Sequence, residues 1–392
     1  MSAIVSSILA ALVLPLGAMS LYLMLLALLS RAPAVCRGST RETRFDIIVP
    51  AHNEAKTIEA TLTSLQRLDW PSDGFRILVV ADNCDDATAS VALACGATVL
   101  ERVNDDLRGK GYALEFGFRA SLAQDWASAV VVVDADTEVS ANLLEAFAAR
   151  LQEGAKAVQA HYRVLNSWNS WRTRLMTVAF TCFHRVRSRA RERLRVSSGI
   201  RGNGWCVTHA ALAMVPYRAF SLVEDIEFGI DLGLAGVRVH YADGAWVAAL
   251  MVSGEKAAAV QRQRWEHGRF KLIRSKVPQL LLQSTRHADR VCLDLAFDLL
   301  VLPLSYLVLM LALFTCVTAL ATAFLAHLEA WLWVASACFL CVSVYVIRGW
   351  RLSGIGLLGV ADLMHVPSFI LWKLLVRLRA HDSAEWVRTK RE

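Results

Sequence analysis

Residues 2–30 contain no charged side chain. At a rise of ~1.5 Å per residue, a run of that length crosses a hydrocarbon core of about 30 Å. It also lacks the basic leader and short apolar core of a cleaved secretion signal, so it reads as a retained transmembrane helix. The nine cysteines lack the even number and the spacing of a disulfide scaffold or zinc module, which suits a reducing compartment. Cys338 and Cys341 form a Cys-x-x-Cys, but inside an apolar run where a thiolate would find neither water nor positive charge. The segment Pro50-Ala51-His52-Asn53-Glu54 has no glycine, which argues against a dinucleotide-binding fingerprint, and no Walker loop occurs. The apolar runs Leu299–Leu325 and Trp331–Ile347 hold no Asp, Glu, Lys or Arg, whereas a transporter would place functional polar residues there.

The chain nevertheless combines 55% hydrophobic with 20% charged residues, so its apolar material must be segregated. Arg31, Arg37, Arg41 and Arg44 follow the first apolar run and place its end in the cytoplasm by the positive-inside rule. Residues 45–290 then form one amphipathic, charged domain. Two spans occupy 294–347, and Arg348 and Arg351 mark a return to the cytoplasm. Residues 352–376 are apolar but interrupted by Asp362, His365 and Pro367. They are expected to lie in the interface or re-enter, which keeps the basic tail 377–392 cytoplasmic.

Within the domain, short apolar runs alternate with helical patterns. Strands are expected over 46–50, 76–81, 98–100 and 129–133, with helices over 57–68, 87–95 and 110–123. Continuous apolar strands separated by helices imply an α/β fold whose mostly parallel sheet is covered on both faces. Ligands of such sheets bind at the carboxyl ends of the strands. Acidic residues follow three of them: Glu54 after the first, Asp82 and its neighbours after the second, and Asp134-Ala135-Asp136 after the fourth. Two carboxylates one residue apart suit a hard divalent cation that also grips a diphosphate. Alone, the tripeptide describes a solvated turn better than a metal site, and Asn, Asp and Thr at the other two turns are good helix caps. Convergence of these acids on one crevice is costly without a cation, and that favours function.

Arg108-Gly109-Lys110-Gly111 opens a helix with two cations and flexible backbone, where phosphates could sit or a simple loop could run. Glu224-Asp225 stands at the start of a helical stretch, as a helix-start acid pair or a general base. Gln261, Arg264 and Trp265 share one helical face, matching a diphosphate beside a sugar ring or a basic helix on a membrane surface. Arg172–Arg201 is dense in arginine among apolar residues, and on a tethered domain membrane lipid headgroups are nearer partners than nucleic acid. Gly202-Asn203-Gly204-Trp205 reads as a close-approach loop or a plain turn.

Taken in order, Pro50-Ala51-His52-Asn53-Glu54, the Asp82 region, Asp134-Ala135-Asp136, Glu224-Asp225 and Gln261-x-x-Arg264-Trp265 resemble a membrane-bound family 2 glycosyltransferase with the GT-A fold, akin to cellulose, hyaluronan and poly-N-acetylglucosamine synthases. Ala81 and Val223 depart from the pattern, standing where many relatives carry aspartate and threonine. The resemblance implies a nucleotide-sugar donor, UDP-linked, contacted by Pro50, Asn53, Glu54, Asp82, Lys110, Asp134 and Arg264. It implies Mg²⁺ or Mn²⁺ on Asp134 and Asp136, and Asp225 with Glu224 at the catalytic step. The acceptor is a glycan or a lipid bordered by Gly204, Trp205, Gln261 and Trp265. It further implies inversion at the sugar, a multi-pass protein of a bacterial inner membrane with its catalytic domain cytoplasmic, and other subunits of a polysaccharide synthesis and export complex as partners.

Overall fold

The computed structural model describes residues 2–34, 38–251, 255–325 and 328–365, the side chains of 2, 3 and 255–265 excepted. The chain divides into two compact units.

The first unit, Ala32–Asn166 with Leu194–Leu299, is built on an eight-stranded mixed sheet. Its strands are β1 (Phe45–Ala51), β2 (Phe75–Asp82), β3 (Thr98–Arg102), β4 (Ala129–Val132), β5 (Thr137–Val139), β6 (Ala157–Val164), β7 (Trp205–Thr208) and β8 (Val239–Ala249), in the order β3-β2-β1-β4-β7-β6-β8-β5. β1 pairs parallel with both β2 and β4, and β2 with β3. This is the arrangement the alternating pattern predicts, with helices Ile58–Gln66, Thr88–Ala94 and Lys110–Gln124 as crossovers. Because side chains alternate across a strand, Ile47 and Val49 join one core with Leu62 and Phe147, while Ile48 joins the other with Leu114, Phe118 and Val132. Each such side chain, fully buried, contributes about 1.5–3 kcal/mol. Gly117 lets the helix lie on β1, since a Cβ there would stand 2.8 Å from Ile48 Cγ2. At the amino end of β1 the buried Asp46 accepts two hydrogen bonds of 2.8 Å from Arg76 and one of 2.6 Å from Ser121.

The second half of the sheet is irregular. β7 runs antiparallel to β4 and β6, β5 antiparallel to β8, and the β6–β8 register slips between Ala160 and His161. The unit also runs past the expected boundary at 290. Helix Arg290–Leu300 buries Cys292, Leu295, Ala296 and Leu299 against Val223, Ile230, Leu272 and Leu280. Gly233 receives it, since a Cβ there would meet Leu295 Cδ1 at 2.4 Å.

The second unit groups Met1–Arg31, Ser167–Arg193 and Leu300–Ala380. Among the described residues, three of its helices are long and apolar enough to cross a membrane: Ile4–Leu29, Leu304–Phe324 and Glu329–Ser353. The middle one starts at Leu304, not at the expected Leu299, because Pro303 has no N–H to continue the preceding helix. The last runs to Ser353, where Gly354 takes a left-handed φ of 75° and ends it.

The arginine-rich stretch does not face lipid headgroups along its length, as the sequence suggested. Helix Trp171–Thr181, a π-helical turn over Cys182–Val186 and helix Arg187–Arg193 belong to this apolar unit, and Arg187, Arg189 and Arg191 are buried in it. Tyr345 donates 2.8 Å to the Cys182 carbonyl oxygen at the π turn and accepts 2.9 Å from Arg187 Nε. Arg174 makes a forked pair with Asp362, at 2.6 and 3.0 Å. Residues 366–376 of the expected interfacial segment, and the whole tail 377–392, lie outside the described residues; the part described includes the end of the helix at Ser353, a short helix, Leu358–Asp362, and a turn through His365.

Candidate active site

The carboxyl ends of the parallel strands gather the acids that the sequence singled out. After β1, Asn53 adopts a left-handed φ of 57°, and its Oδ1 accepts 2.9 Å from the Asp85 N–H. The Glu54 N–H donates to Thr88 Oγ1 at 2.8 Å, and Glu54 Oε2 accepts from Thr57 at 2.7 Å. Pro50 is half-buried in the strand itself. His52 Nδ1 lies 2.8 Å from the Asp82 carbonyl oxygen, so that nitrogen carries the proton. Asp82 closes β2, nearly buried, opposite Arg102 in the β2–β3 register, and the two form an ion pair at 2.5 Å. Arg102 went unread in the sequence. Its signal was positional, a cation at the end of a strand beside an acid-tipped one.

Lys110 begins its helix behind Gly109, whose φ of 128° belongs to glycine's range. Its ammonium stands 2.6 Å from Asp134 Oδ1 and 3.5 Å from Glu224 Oε1, and donates to the Gly202 carbonyl oxygen at 3.3 Å. Burial works against that charge, but Asp134 and Glu224 more than reverse it and hold the Lys110 pKa above its ordinary value. Glu224 and Asp225 occupy the first turn of helix Glu224–Leu234, and Asp225 Oδ2 accepts the Gly202 N–H. Burial pushes Glu224 up to about 7, Lys110 pulling the other way, and raises Asp225 as well. Arg108, the other cation of that loop, is exposed and pairs with Asp105 instead.

A residue read only as part of a loop ties these pieces together. Asn203, fully buried, accepts 3.0 Å from the Asp134 N–H and donates 2.6 Å to Thr137 Oγ1, which lies 3.4 Å from Asp136 Oδ1. Gln159 fixes the loop from behind, donating to the Asn203 carbonyl at 2.7 Å and accepting from the Arg201 N–H at 2.9 Å. Tyr162 packs its ring against Gly202, where a Cβ would stand 3.2 Å from Cε1. Burial first, then Asp134, raise its phenol. The acceptor contacts expected at Gly204 and Trp205 are corrected. Gly204 is buried at a φ of 67°, its N–H bonded to the Val132 carbonyl and its own carbonyl to the Ala160 N–H, with Val247 2.5 Å from where a Cβ would be. Trp205 is 1% exposed and packs with Phe118 and Phe228 in the core. Gln261, Arg264 and Trp265 lie on helix Glu255–His287, with their side chains outside the described residues.

Among the described residues no three His, Cys, Asp or Glu side chains converge as a cage for a metal ion. Asp134 and Asp136 fit a different role. Mg²⁺ and Mn²⁺ are commonly held by one or two carboxylates together with substrate phosphates, and Asp134 already turns an oxygen onto a cation, the Lys110 ammonium.

A family model described as "Glycosyltransferase like family 2" matches residues 43–268. The chain belongs to this glycosyltransferase family. The probable glycosyltransferase YdaM of Bacillus subtilis is 25% identical over 234 residues, 57% of this chain and 55% of that protein. Glucomannan 4-beta-mannosyltransferase 9 of Arabidopsis thaliana is 24% identical over 246 residues, 60% of this chain and 46% of that protein. The chain thus spans about half the length of these curated relatives. The fold matches a solved mannosyltransferase of Pyrobaculum calidifontis, in complex with GDP-Man and Mn²⁺, at a TM-score of 0.54 and 19% identity, over 87% of this chain and 98% of that one.

Proposed function

We propose that this family 2 glycosyltransferase moves a sugar from a nucleoside-diphosphate donor to a hydroxyl of a membrane-associated glycan, with inversion at the anomeric carbon. The observation that carries this reading is the cluster of Lys110, Asp134, Glu224 and Asp225 at the carboxyl ends of parallel strands, in a chain of this family. Asp225, oriented by the Gly202 N–H, takes the proton of the acceptor hydroxyl. The freed oxygen forms a bond to the anomeric carbon as the bond to the diphosphate oxygen breaks on the opposite face. Lys110 and Arg264 receive the charge that develops on the departing diphosphate. A divalent cation on Asp134 and Asp136 would supply further neutralisation of that diphosphate. Glu224, bound to the same ammonium, helps hold it in place. Pro50, Asn53, Glu54 and Asp82 face the nucleoside, with Asp82 fixed by Arg102. Gln261 and Trp265 border the acceptor. The three apolar helices anchor the domain on the cytoplasmic face, where partner subunits of an export complex would receive the product.

A second reading, single transfer to a lipid acceptor, is favoured by the small number of long apolar helices, three among the described residues, from which to build a channel. Membranes containing the protein, incubated with radiolabelled UDP- and GDP-sugars and Mn²⁺, separate the two. Label in polymer supports the first reading and label in organic extract the second, while no turnover with any donor refutes both.

A further inference from the structure

Helix Glu255–His287 meets the segment that introduces the acid pair at one point of close approach. Gly268 is buried there, and a Cβ on it would stand 2.9 and 3.1 Å from the two γ carbons of Val223 and 3.5 Å from Leu222 Cβ. Non-bonded carbons settle at about 3.5–4.0 Å, so a side chain at this position would part the helix from Val223 by about 0.6 Å or more. Val223 is 3% exposed and directly precedes Glu224, so it has no solvent into which to yield.

Eight residues further along each segment, Lys276 forms an ion pair with Asp231. Between the two contacts, Leu272 joins the core that holds Val223 and Ile230. The equal steps mean that helix Glu224–Leu234 and this part of helix Glu255–His287 run side by side in the same direction. The residue after Gly268 adds a second tether. Arg269 donates from Nη2 to the carbonyls of Asp298 and Leu299 at 2.9 and 2.8 Å, and the Asp298 carboxylate accepts 3.1 Å from Arg201. Arg201 adjoins Gly202, whose N–H donates to Asp225. Residues 268 and 269 thus connect with both segments that place the Asp225 carboxylate, one through Val223 and the other through Asp298 and Arg201.

Gly268 follows Trp265, Arg264 and Gln261 by three, four and seven residues, the spacing of one helical face. Because the two helices are parallel, those three positions lie one to two turns past the end of helix Glu224–Leu234 that carries the acid pair.

We propose that Gly268 is a positioning residue, whose missing side chain sets how closely the Gln261-x-x-Arg264-Trp265 helix seats on Val223 and thereby where Asp225 stands relative to that helix. The effect on turnover rests on the reading of Asp225 as the base; the effect on structure does not.

The test follows Gly268→Ala in the full chain by two readouts. Amide hydrogen exchange over residues 199–206, which include the Gly202 N–H, should quicken by about tenfold while exchange over β1 stays at wild type; a general loss of stability would quicken both. Turnover, normalised to sites counted by equilibrium donor binding, should fall by about 10–100-fold with donor KM within about twofold, since a misplacement near 1 Å is enough to do so. Val223→Ala removes both γ carbons, so adding it to Gly268→Ala should bring exchange and kcat back toward wild type. Gly244→Ala, where a Cβ meets open space, should change neither. Unchanged exchange over 199–206 in Gly268→Ala overturns the proposal, as does a double variant no better than the single one. Quickened exchange, restored by Val223→Ala, with kcat unaffected throughout supports the seat and refutes Asp225 as the base.

Discussion

Replacing Glu224 by glutamine keeps the shape of the side chain and removes its titration. In the protein, burial raises this carboxyl from an ordinary 4.5 to about 7, even with Lys110 3.5 Å away. A carboxyl raised on folding favours the protonated native state. Its contribution to stability is therefore full below about 4.5 and is lost as the pH climbs through 7. At ~1.4 kcal/mol per tenfold, the gap is worth about 3 kcal/mol, shared with Asp225 because the two titrate together. Glu224→Gln does not pay this penalty, so its melting temperature relative to wild type should rise between pH 5 and pH 8. For a unit of this size, 2–4 °C per kcal/mol gives roughly 6–12 °C. Scanning calorimetry of both proteins at several pH values measures it. A melting difference that stays flat from pH 5 to 8 would refute the account of Glu224 as a buried acid held near neutrality.

Asp225→Asn should lower turnover by about 10²–10⁴ while donor affinity, read by equilibrium binding, stays near wild type; lost binding with preserved turnover would remove Asp225 from the base role. Asn203→Ala leaves the Asp134 N–H and Thr137 Oγ1 without their shared partner, so a loss of about 2–5 kcal/mol in denaturant titration is expected, together with weaker Mn²⁺ binding in electron paramagnetic resonance with UDP present. A variant with unchanged Mn²⁺ affinity would show that Asn203 does not position the acid pair. Gly204→Ala combines a left-handed backbone with a collision on Val247 and should cost about 1–3 kcal/mol, seen as a lower denaturation midpoint.

The parallel half of the sheet was legible because its strands are continuous apolar runs, and the acids that end them are conspicuous. The other half was not. β7 is four residues long and β5 three, while β6 alternates Gln159, His161 and Arg163 with apolar residues yet buries Gln159 and His161 and slips in register, so its alternation does not mark an exposed face. The same irregularity hid Asn203 and Gln159, whose roles depend on a loop folding back between β4 and β6. Trp205 misled for a related reason: an aromatic after a glycine pair suggests a ligand platform, but in an antiparallel strand its face is set by register, and register turns it into the core. The arginines of 172–195 misled through composition. Density of charge suggested a surface facing lipid headgroups, whereas Tyr345 and Asp362, more than 150 residues away, supply partners that let arginine be buried.

The composition of the site explains why a buried lysine is tolerated there at all. Asp134, Glu224 and Asp225 converge in a partly desolvated crevice, and three ionised carboxylates at such distances would repel one another strongly. Lys110 offsets one charge outright and attracts the others, and the protein removes part of the remainder by keeping the Glu224–Asp225 pair partly protonated near neutrality. That arrangement is electrostatically incomplete. A cation brought to Asp134 would favour ionisation of the pair, whereas anions brought to Lys110 act against it, and an ionised Asp225 is the form that can accept a proton.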